Sequence, residues 1–372
     1  MSKKIKVGVL FGGKSAEHEV SLVSAQAVIE HLNKNKYEVI PIGITREGRW
    51  VSAGNPLDLL KQGKKRLVRK TYLPAVREDR ELGTVSKIKN YPKVDVIFPV
   101  LHGTYGEDGT VQGFLELADI PYVGAGVLGS ALGMDKVIQK QIFKSHSLPI
   151  TPYLVFAREQ ILERLDPGVI KKIEKNLGYP CFTKPANLGS SVGIFKTHTR
   201  KELQYMIKKS AHFDRKIVVE KAVLHAREIE VSILGNKNLE ASVCGEIISS
   251  NEFYDYDAKY IDGKSKAIIP AKLSKKMSDQ IREIAKEAFL SLDCAGMARV
   301  DFLINAETNK IYLNEINTIP GFTSISMYPK LFQASGLSYP RLLDKLIQLA
   351  LSRHQDKQKI ETMVHLKKDW YK

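Results

Sequence analysis

Two short apolar segments, 299–303 and 311–317, are separated by residues of the kinds that form turns. This pattern predicts an antiparallel β-hairpin. Side chains two positions apart on a strand share one face. Glu315 and Asn317 therefore point the same way, and Asp301 can meet them from the partner strand. Two carboxylates and an amide oxygen are hard ligands of the kind that Mg²⁺ accepts, so the sequence predicts a magnesium site on this hairpin.

The competing interpretation is a solvent-exposed hairpin face with scattered charges. The polar positions are flanked by apolar residues, namely Val300, Phe302, Leu303, Ile311 and Leu313. These flanking side chains suit a buried core better than an exposed surface. Arg299 precedes Asp301 by two residues and therefore shares its face. The apolar flanks favour the metal site.

The length of 372 residues predicts two or three domains, and the hydrophobic content of 43% is that of a soluble globular protein. No apolar run approaches the roughly 20 residues that span a bilayer, so no membrane partner is expected. The cysteines Cys181, Cys244 and Cys294 are widely spaced and form no Cys-x-x-Cys motif. This usage fits a reducing, cytoplasmic location.

The net charge of +16 raises the alternative of a nucleic-acid-binding protein. Much of the excess is regional, because residues 61–93 carry eleven Lys and Arg against three acids. Aromatic residues are not interleaved with these charges as a base-stacking surface would require. A basic surface attracts phosphates through its field without any such function. We therefore expect no nucleic-acid partner.

The order of elements indicates an α/β protein. A strand at 4–11, a helical repeat through Leu22 and Leu32, and strands at 38–44 and 94–101 predict an open α/β sheet. We expect an N-terminal α/β domain at 1–133 with a basic insertion at 51–93, a small α+β lobe at 134–225, a large lobe at 226–351 and a basic tail at 352–372. Helices are predicted near 200–210, 275–291 and 338–351.

The segment 8–15 matches the P-loop expression G-x-x-x-x-G-K-[ST]. A P-loop needs its first glycine after the strand, whereas here the apolar strand runs through Gly8 to Phe11. We reject the match and predict that Gly12 and Gly13 form a tight strand-to-helix turn. Glu17 then lies at a helix N-terminus, where the dipole alone favours a carboxylate.

Two further segments are suited to ligands. Residues 102–110 follow the buried strand at the end where open α/β sheets bind ligands, and they include His102 and Glu107. The loop 189–193 is rich in glycine, and its backbone amides with the hydroxyls of Ser190 and Ser191 can cradle phosphates. A plain hairpin loop is the alternative there. Lys184 and Lys136 add charges that suit a triphosphate.

With the segment 184–193 upstream of the hairpin, the pattern resembles the ATP-grasp ligases. The segments 12–17, 102–109 and 253–260 narrow the resemblance to the D-alanine–D-alanine ligase family, from about residue 4 to about residue 350. The resemblance implies a three-lobed ATP-grasp fold with an N-terminal open α/β domain. It also implies ATP-dependent ligation of D-alanine for cell-wall precursors, two Mg²⁺ ions (Mn²⁺ possible), a cytoplasmic location and a homodimer.

The resemblance also implies residue roles. ATP would be bound by Lys136, Lys184, Ser190, Ser191, Glu220, Lys221, Val223, Glu228, Phe253 and Lys259. The D-alanine substrates would be bound by Glu17, His102, Glu107, Tyr260, Arg299, Gly321, Ser326 and Met327. Magnesium would be bound by Asp301, Glu315 and Asn317. The catalytic residues would be Arg299 and Gly321, which stabilise the oxyanion, and Glu17, Ser190 and Tyr260, which link the first lobe to a lid at 253–260.

The sequence departs from the family pattern at Ala226, where glycine is usual, and at Met327, where leucine is frequent. Two alternatives remain open. One is a related ligase that joins D-alanine to D-lactate or D-serine, against which Tyr260 argues. The other is a non-catalytic ATP-dependent or nucleic-acid-binding module, against which the intact set of Arg299 and the three metal residues argues.

Overall fold

The computed structural model describes residues 3–52, 54–62, 93–163, 165–189, 191–248 and 266–361. Four predicted site residues therefore lie outside the described residues, namely Ser190, Phe253, Lys259 and Tyr260. The same holds for the predicted lid, for most of the basic insertion and for the end of the basic tail.

The first sheet has the strand order β3-β2-β1-β4. Its strands are β1 (Ile5–Gly12), β2 (Tyr37–Ile44), β3 (Trp50–Val51) and β4 (Val96–Val100), and its helices are α1 (His18–His31), α2 (Pro56–Lys61), α3 (Thr110–Leu117) and α4 (Val127–Met134). Strand β1 pairs in parallel with both β2 and β4, and β4 is buried throughout. The predicted open α/β sheet is confirmed.

The turn after β1 is built as the sequence predicts. Gly12 and Gly13 have φ values of 90° and 100°, a region that side-chain-bearing residues rarely adopt. The Gly13 N–H donates to the carbonyl of Ile44 at 2.9 Å. Because β1 runs through Gly8 to Gly12, no P-loop can form at this position.

The second sheet is antiparallel, with the order β5-β8-β6-β7. Its strands are β5 (Tyr153–Ala157), β6 (Cys181–Pro185), β7 (Phe195–Thr197) and β8 (Lys216–Lys221), and its helices are α5 (Lys136–Ser145), α6 (Arg158–Leu162), α7 (Pro167–Asn176) and α8 (Arg200–Ala211). Ile173, Leu203, Ile207 and Val219 form its core with other apolar residues of these elements. The glycine-rich loop lies between β6 and β7.

The third sheet has the order β12-β11-β9-β13-β14, and β10 pairs with β9. Its strands are β9 (Ala226–Gly235), β10 (Glu240–Ala241), β11 (Gly245–Ile248), β12 (Lys266–Ile268), β13 (Gly296–Asn305) and β14 (Ile311–Asn317). Helix α9 (Lys275–Ser291) buries Ile281 and Phe289 in the same core as Val231, Val300 and Leu313. The predicted hairpin is confirmed as β13 and β14.

Two helices follow the hairpin, α10 (Met327–Ala334) and α11 (Tyr339–Lys357). Helix α11 continues beyond residue 351, where the basic tail is predicted to begin. Its apolar face, with Leu342 and Leu346, shares one core with Val9 and Phe98 of the first sheet. The chain therefore returns from the third sheet to the first, and this packing stabilises their relative position. No helix among the described residues is long and apolar enough to cross a membrane.

Candidate active site

Two neighbouring cavities lie between the sheets, the first among all three and the second between the second and third sheets. The first cavity, of about 290 Å³, is lined in part by Glu17, His102, Glu107, Lys136, Glu230, Arg299, Glu315, Asn317, Gly321, Ser326 and Met327. The second cavity, of about 100 Å³, is lined in part by Lys184, Ser191, Glu220, Lys221, Val223, Glu228, Glu230, Arg299, Asp301 and Glu315. Every predicted site residue within the described part of the chain lines at least one of them. Of the metal candidates, Asp301 lines the second cavity, Asn317 lines the first and Glu315 lines both.

The hairpin places its carboxylates side by side. Asp301 and Glu315 are partner positions on β13 and β14, and a β-bulge follows directly, between Asp301 and Phe302. Asn317 is the partner of Arg299, two positions further along the hairpin and therefore on the same face. Bulges redirect side chains next to functional sites. The two carboxylates and the amide are therefore neighbours on one face of the sheet.

Arg299 is held by two acids. Its Nε and Nη2 donate to Oδ1 and Oδ2 of Asp301, both at 2.7 Å, and its Nε lies 3.3 Å from Oε2 of Glu230. Burial opposes the charge of the guanidinium, but Asp301 and Glu230 outweigh it and hold the pKa of Arg299 well above its ordinary value. A forked contact of this kind fixes the plane of the guanidinium.

The donor chemistry of the hairpin fits a magnesium ion shared with phosphates. Asp301 and Glu315 supply carboxylate oxygens, and the Oδ1 of Asn317 accepts a hydrogen bond from the Ile319 N–H at 3.2 Å. No group of three or more His, Cys, Asp and Glu side chains in the described ranges is arranged to hold a metal. The remaining ligands would therefore be phosphate and water oxygens, as is usual for Mg²⁺. Lys136 lies 3.5 Å from Glu315.

Glu17 is enclosed between two glycine backbones. Its side chain is buried just before α1. A Cβ at Gly103 would lie 2.7 Å from Oε2 of Glu17, and a Cβ at Gly189 would lie 2.8 Å from the same atom. Only glycine leaves room for the carboxylate at both positions. The predicted turn, the loop after β4 and the glycine-rich loop thus converge on one buried carboxylate.

Glu107 supports the loop that contacts Glu17. Its Oε2 accepts a hydrogen bond from the Gly103 N–H at 2.6 Å. Burial, together with the neighbouring charge of Glu17, raises the pKa of Glu107 well above its ordinary value. Glu107 therefore lines the first cavity and also fixes the backbone of the loop.

His102 connects the first sheet to the loop that contains Gly321. Its Nδ1 lies 3.1 Å from the carbonyl oxygen of Ile319, and its Nε2 lies 3.3 Å from Oγ of Ser24. A carbonyl oxygen only accepts, so Nδ1 carries the proton and Nε2 accepts from the Ser24 hydroxyl. The Phe322 N–H donates to the same Oγ at 3.3 Å. Burial lowers the pKa of His102, which favours this neutral ring.

Gly321 lies directly against Ser326. A Cβ at Gly321 would lie 2.7 Å from Oγ of Ser326. That Oγ accepts from the Thr323 N–H at 3.0 Å, and Met327 begins α10 as a buried residue. The turn after β14 therefore presents a backbone amide, a hydroxyl and a helix N-terminus to the first cavity.

Lys140 was not predicted as a site residue, and its side chain is only 1% exposed. Oε2 of Glu220 lies 3.2 Å from the Nζ of both Lys140 and Lys184, and it accepts from Thr151 Oγ1 at 3.1 Å. Burial acts against the charge of Glu220, but the two lysines outweigh it and lower the pKa of this acid. Lys140 is four residues after Lys136 on α5, a spacing that places both on one helix face and could have identified it.

Glu230 is the second site residue that was not predicted. It follows Glu228 by two residues on β9, so both side chains share a face, and both line the second cavity. This alternation was a usable signal. The departure at Ala226 is accommodated locally, because β9 begins at Ala226 and the positive φ of 46° falls one residue earlier, at His225.

The sequence matches two family profiles. The profile described as D-ala D-ala ligase N-terminus matches residues 6–125, and the profile described as D-ala D-ala ligase C-terminus matches residues 142–348. The D-alanine–D-alanine ligase from Natranaerobius thermophilus is 51% identical over 363 residues, which cover 97% of this chain and 98% of that protein.

Solved structures are similar over almost the whole chain. The D-alanine-D-alanine ligase from Coxiella burnetii is 36% identical with a TM-score of 0.79, covering 96% of this chain and 98% of its own. The VanG D-Ala:D-Ser ligase from Enterococcus faecalis is 38% identical with a TM-score of 0.81, covering 94% of this chain and 100% of its own. The fold is therefore ATP-grasp, and the chain belongs to the D-alanine–D-alanine ligase family.

Proposed function

We propose that this protein joins two D-alanine molecules to D-alanyl-D-alanine with conversion of ATP to ADP and phosphate, in support of peptidoglycan precursor synthesis. The observation that carries the proposal is the contact between the two cavities, which share Glu230, Arg299 and Glu315. The γ-phosphate of a nucleotide in the second cavity would lie next to an amino acid in the first. Such proximity is what a phosphoryl transfer between them requires.

The second cavity is proposed as the nucleotide site. Lys136, Lys184 and Ser191, with Ser190 and Lys259 from outside the described residues, would hold the phosphates. Glu220, Lys221 and Val223, with Phe253, would contact adenine, and Glu228 would contact ribose. Asp301, Glu315 and Asn317 would hold two Mg²⁺ ions, or Mn²⁺, which neutralise phosphate charge when bound.

The first step is proposed to be attack of a D-alanine carboxylate oxygen on the γ-phosphorus. Glu17 would accept hydrogen bonds from the ammonium of this first D-alanine, because its buried carboxylate faces the first cavity. The bond between the γ-phosphorus and the bridging oxygen breaks, ADP leaves and an acyl phosphate forms. Lys136 and Lys184 would stabilise the charge on the transferring group.

The second step is proposed to be attack of the second D-alanine's neutral amine on the acyl carbon. Arg299 and the Gly321 N–H would stabilise the tetrahedral oxyanion, and Ser326 with Met327 at the start of α10 would hold the second carboxylate. Phosphate leaves with the electron pair of the broken C–O bond, and the amine loses its proton. Glu17, Ser190 and Tyr260 are proposed to link the first lobe to the lid.

Phosphate release from ATP tests the proposal. D-alanine should stimulate release and yield D-alanyl-D-alanine, whereas L-alanine should not. Arg299→Ala should lower kcat by at least about 10²-fold, the loss expected for one oxyanion stabiliser. ATP hydrolysis that is indifferent to D-alanine would contradict the assignment.

A second candidate acceptor is D-serine, because the Enterococcus faecalis neighbour that is 38% identical is a D-Ala:D-Ser ligase. D-Lactate is the corresponding ester-forming acceptor. Mixed-acceptor reactions with product analysis distinguish these outcomes, since each acceptor gives a product of different mass.

We also propose the domain division 1–133, 134–225, 226–351 and 352–372, a cytoplasmic location and a homodimer. The three sheets support the division, and the packing of α11 on the first sheet indicates that the third segment also stabilises the first domain. Sedimentation equilibrium tests the dimer, for which a mass of one chain would be the contrary result.

A further inference from the structure

Three carboxylates form one row across the third sheet. Glu230 on β9 and Glu315 on β14 are both partner positions of Asp301 on β13. Such partners lie about 4.5–5.5 Å apart and project to the same face. Like charges in these positions repel one another. Positive charge is therefore needed within the row, and Arg299 provides it between Asp301 and Glu230.

Glu230 has no part in the steps described above. It is 5% exposed and lines both cavities. Its Oε2 lies 3.3 Å from Nε of Arg299, the nitrogen that also donates to Asp301. The two acids contact Nε and Nη2, so the other N–H groups of the guanidinium are those that Arg299 would offer to an oxyanion.

We propose that Glu230 is a positioning residue, which keeps Arg299 in place when Asp301 is shared with a metal ion. This inference rests on the proposed function. A carboxylate that binds a cation has less charge to give to a second one, so the fork from Asp301 weakens as the site is loaded. Oxyanion stabilisation depends on donors that are fixed before the reaction. Glu230 supplies the second anion that fixes Nε.

Glu230→Gln tests this, because it keeps the size of the side chain and removes its charge. Glu246→Gln is a matched control in the same sheet. Glu246 is also buried and also pairs with an arginine, since its two oxygens accept from Nε and Nη2 of Arg227, both at 2.7 Å. Glu246, unlike Glu230, lines neither of the two cavities.

Glu230→Gln should lower kcat about tenfold, less than the 10²–10³-fold that follows loss of a stabilising donor itself. The KM for ATP should change by less than about twofold, because the nucleotide contacts remain. Glu246→Gln should leave both constants near their natural values. An unchanged kcat in Glu230→Gln, or an equal loss in Glu246→Gln, would overturn the inference.

The ¹⁵N–¹H resonance of the Arg299 Nε, assigned by its loss in Arg299→Lys, gives a readout independent of turnover. Glu230→Gln should shift this resonance and Glu246→Gln should not. Addition of ADP with Mg²⁺ should broaden it in Glu230→Gln and leave it sharp in the natural protein. Identical spectra in all three proteins would reject the role of Glu230. A natural protein that forms no dipeptide would instead reject the proposed function.

Discussion

The Nζ of Lys140 lies 3.2 Å from Oε2 of Glu220, and both side chains are almost fully buried. The same oxygen lies 3.2 Å from Lys184, so one carboxylate is shared by two lysines. Glu220 divides its attraction between two ammonium groups. We therefore expect Lys140 to weaken the hold of Glu220 on Lys184, the lysine that is proposed to contact phosphate.

Lys140→Met should raise the KM for ATP by about threefold to tenfold, because Glu220 then pairs with Lys184 alone. Unfolding should become easier by about 1–3 kcal/mol, the cost of disrupting a buried hydrogen-bonded charge. Steady-state kinetics and urea denaturation measure the two effects. Lys144→Met, an exposed position one turn further along α5, is the control. An unaltered KM for ATP would contradict this account of Lys140.

Gly103→Ala should raise the KM for D-alanine by more than about tenfold. The new Cβ would lie 2.7 Å from Oε2 of Glu17 and displace the carboxylate proposed to hold the ammonium. Gly48→Ala is a matched control, because Gly48 also has a positive φ, of 89°, but its Cβ would meet nothing within 4 Å. The control should lose only stability, by about 1 kcal/mol. Equal KM values in the two variants would argue against the Glu17 assignment.

Glu315→Gln should lower kcat by at least about 10²-fold. Loss of this carboxylate weakens the proposed Mg²⁺ site, and the transition state then loses an electrostatic stabiliser of its phosphate charge. Glu307→Gln, in the exposed turn of the same hairpin, should have no such effect. Turnover at saturating ATP and D-alanine measures both. Near-normal turnover of a folded Glu315→Gln protein would end the metal assignment.

His102 should make the protein less stable as the pH falls. Burial lowers the pKa of His102 in the folded state, so below the unfolded value of about 6.5 the unfolded chain binds a proton that the folded chain does not. The stability that the neutral ring contributes is fully present above about pH 6.5. As the pH falls from there towards the folded pKa, the free energy of unfolding decreases by up to about 1.4 kcal/mol per pH unit.

Urea unfolding from pH 7.5 to pH 5 measures this dependence. His102→Gln should flatten it, whereas His225→Gln, which changes an exposed histidine, should not. Parallel curves for His102→Gln and the natural protein would show that the ring is not held neutral by burial.

The local parts of the fold follow from the sequence. Period-two alternation predicts β13 and β14, and the glycine pair after an apolar strand predicts the turn before α1. The bulge beside Asp301 could not be predicted, because it depends on how β14 pairs with a strand already fixed against β9. The packing of α11 on the first sheet is equally non-local. The apolar face of this helix can be predicted, but the surface against which it packs cannot.

The candidate site shows the same contrast between local and non-local features. Residues that belong to local motifs could be predicted one by one. The side chains that contact them could not, because these come from segments that are distant in the sequence. Lys140, Thr151 and Glu220 meet only once the second sheet is folded. His102, which was predicted as a substrate residue, lines the first cavity, and its ring nitrogens contact Ser24 and Ile319. Its role with substrate stays a prediction. Sequence spacing carries no information about such contacts.

The most direct test of the account is the fate of ¹⁸O in the carboxylate of D-alanine. If the carboxylate attacks the γ-phosphorus, one labelled oxygen is transferred to the phosphate released with each D-alanyl-D-alanine. Mass spectrometry of that phosphate should therefore show one ¹⁸O per turnover. Phosphate that contains no ¹⁸O while dipeptide accumulates would contradict the acyl-phosphate mechanism.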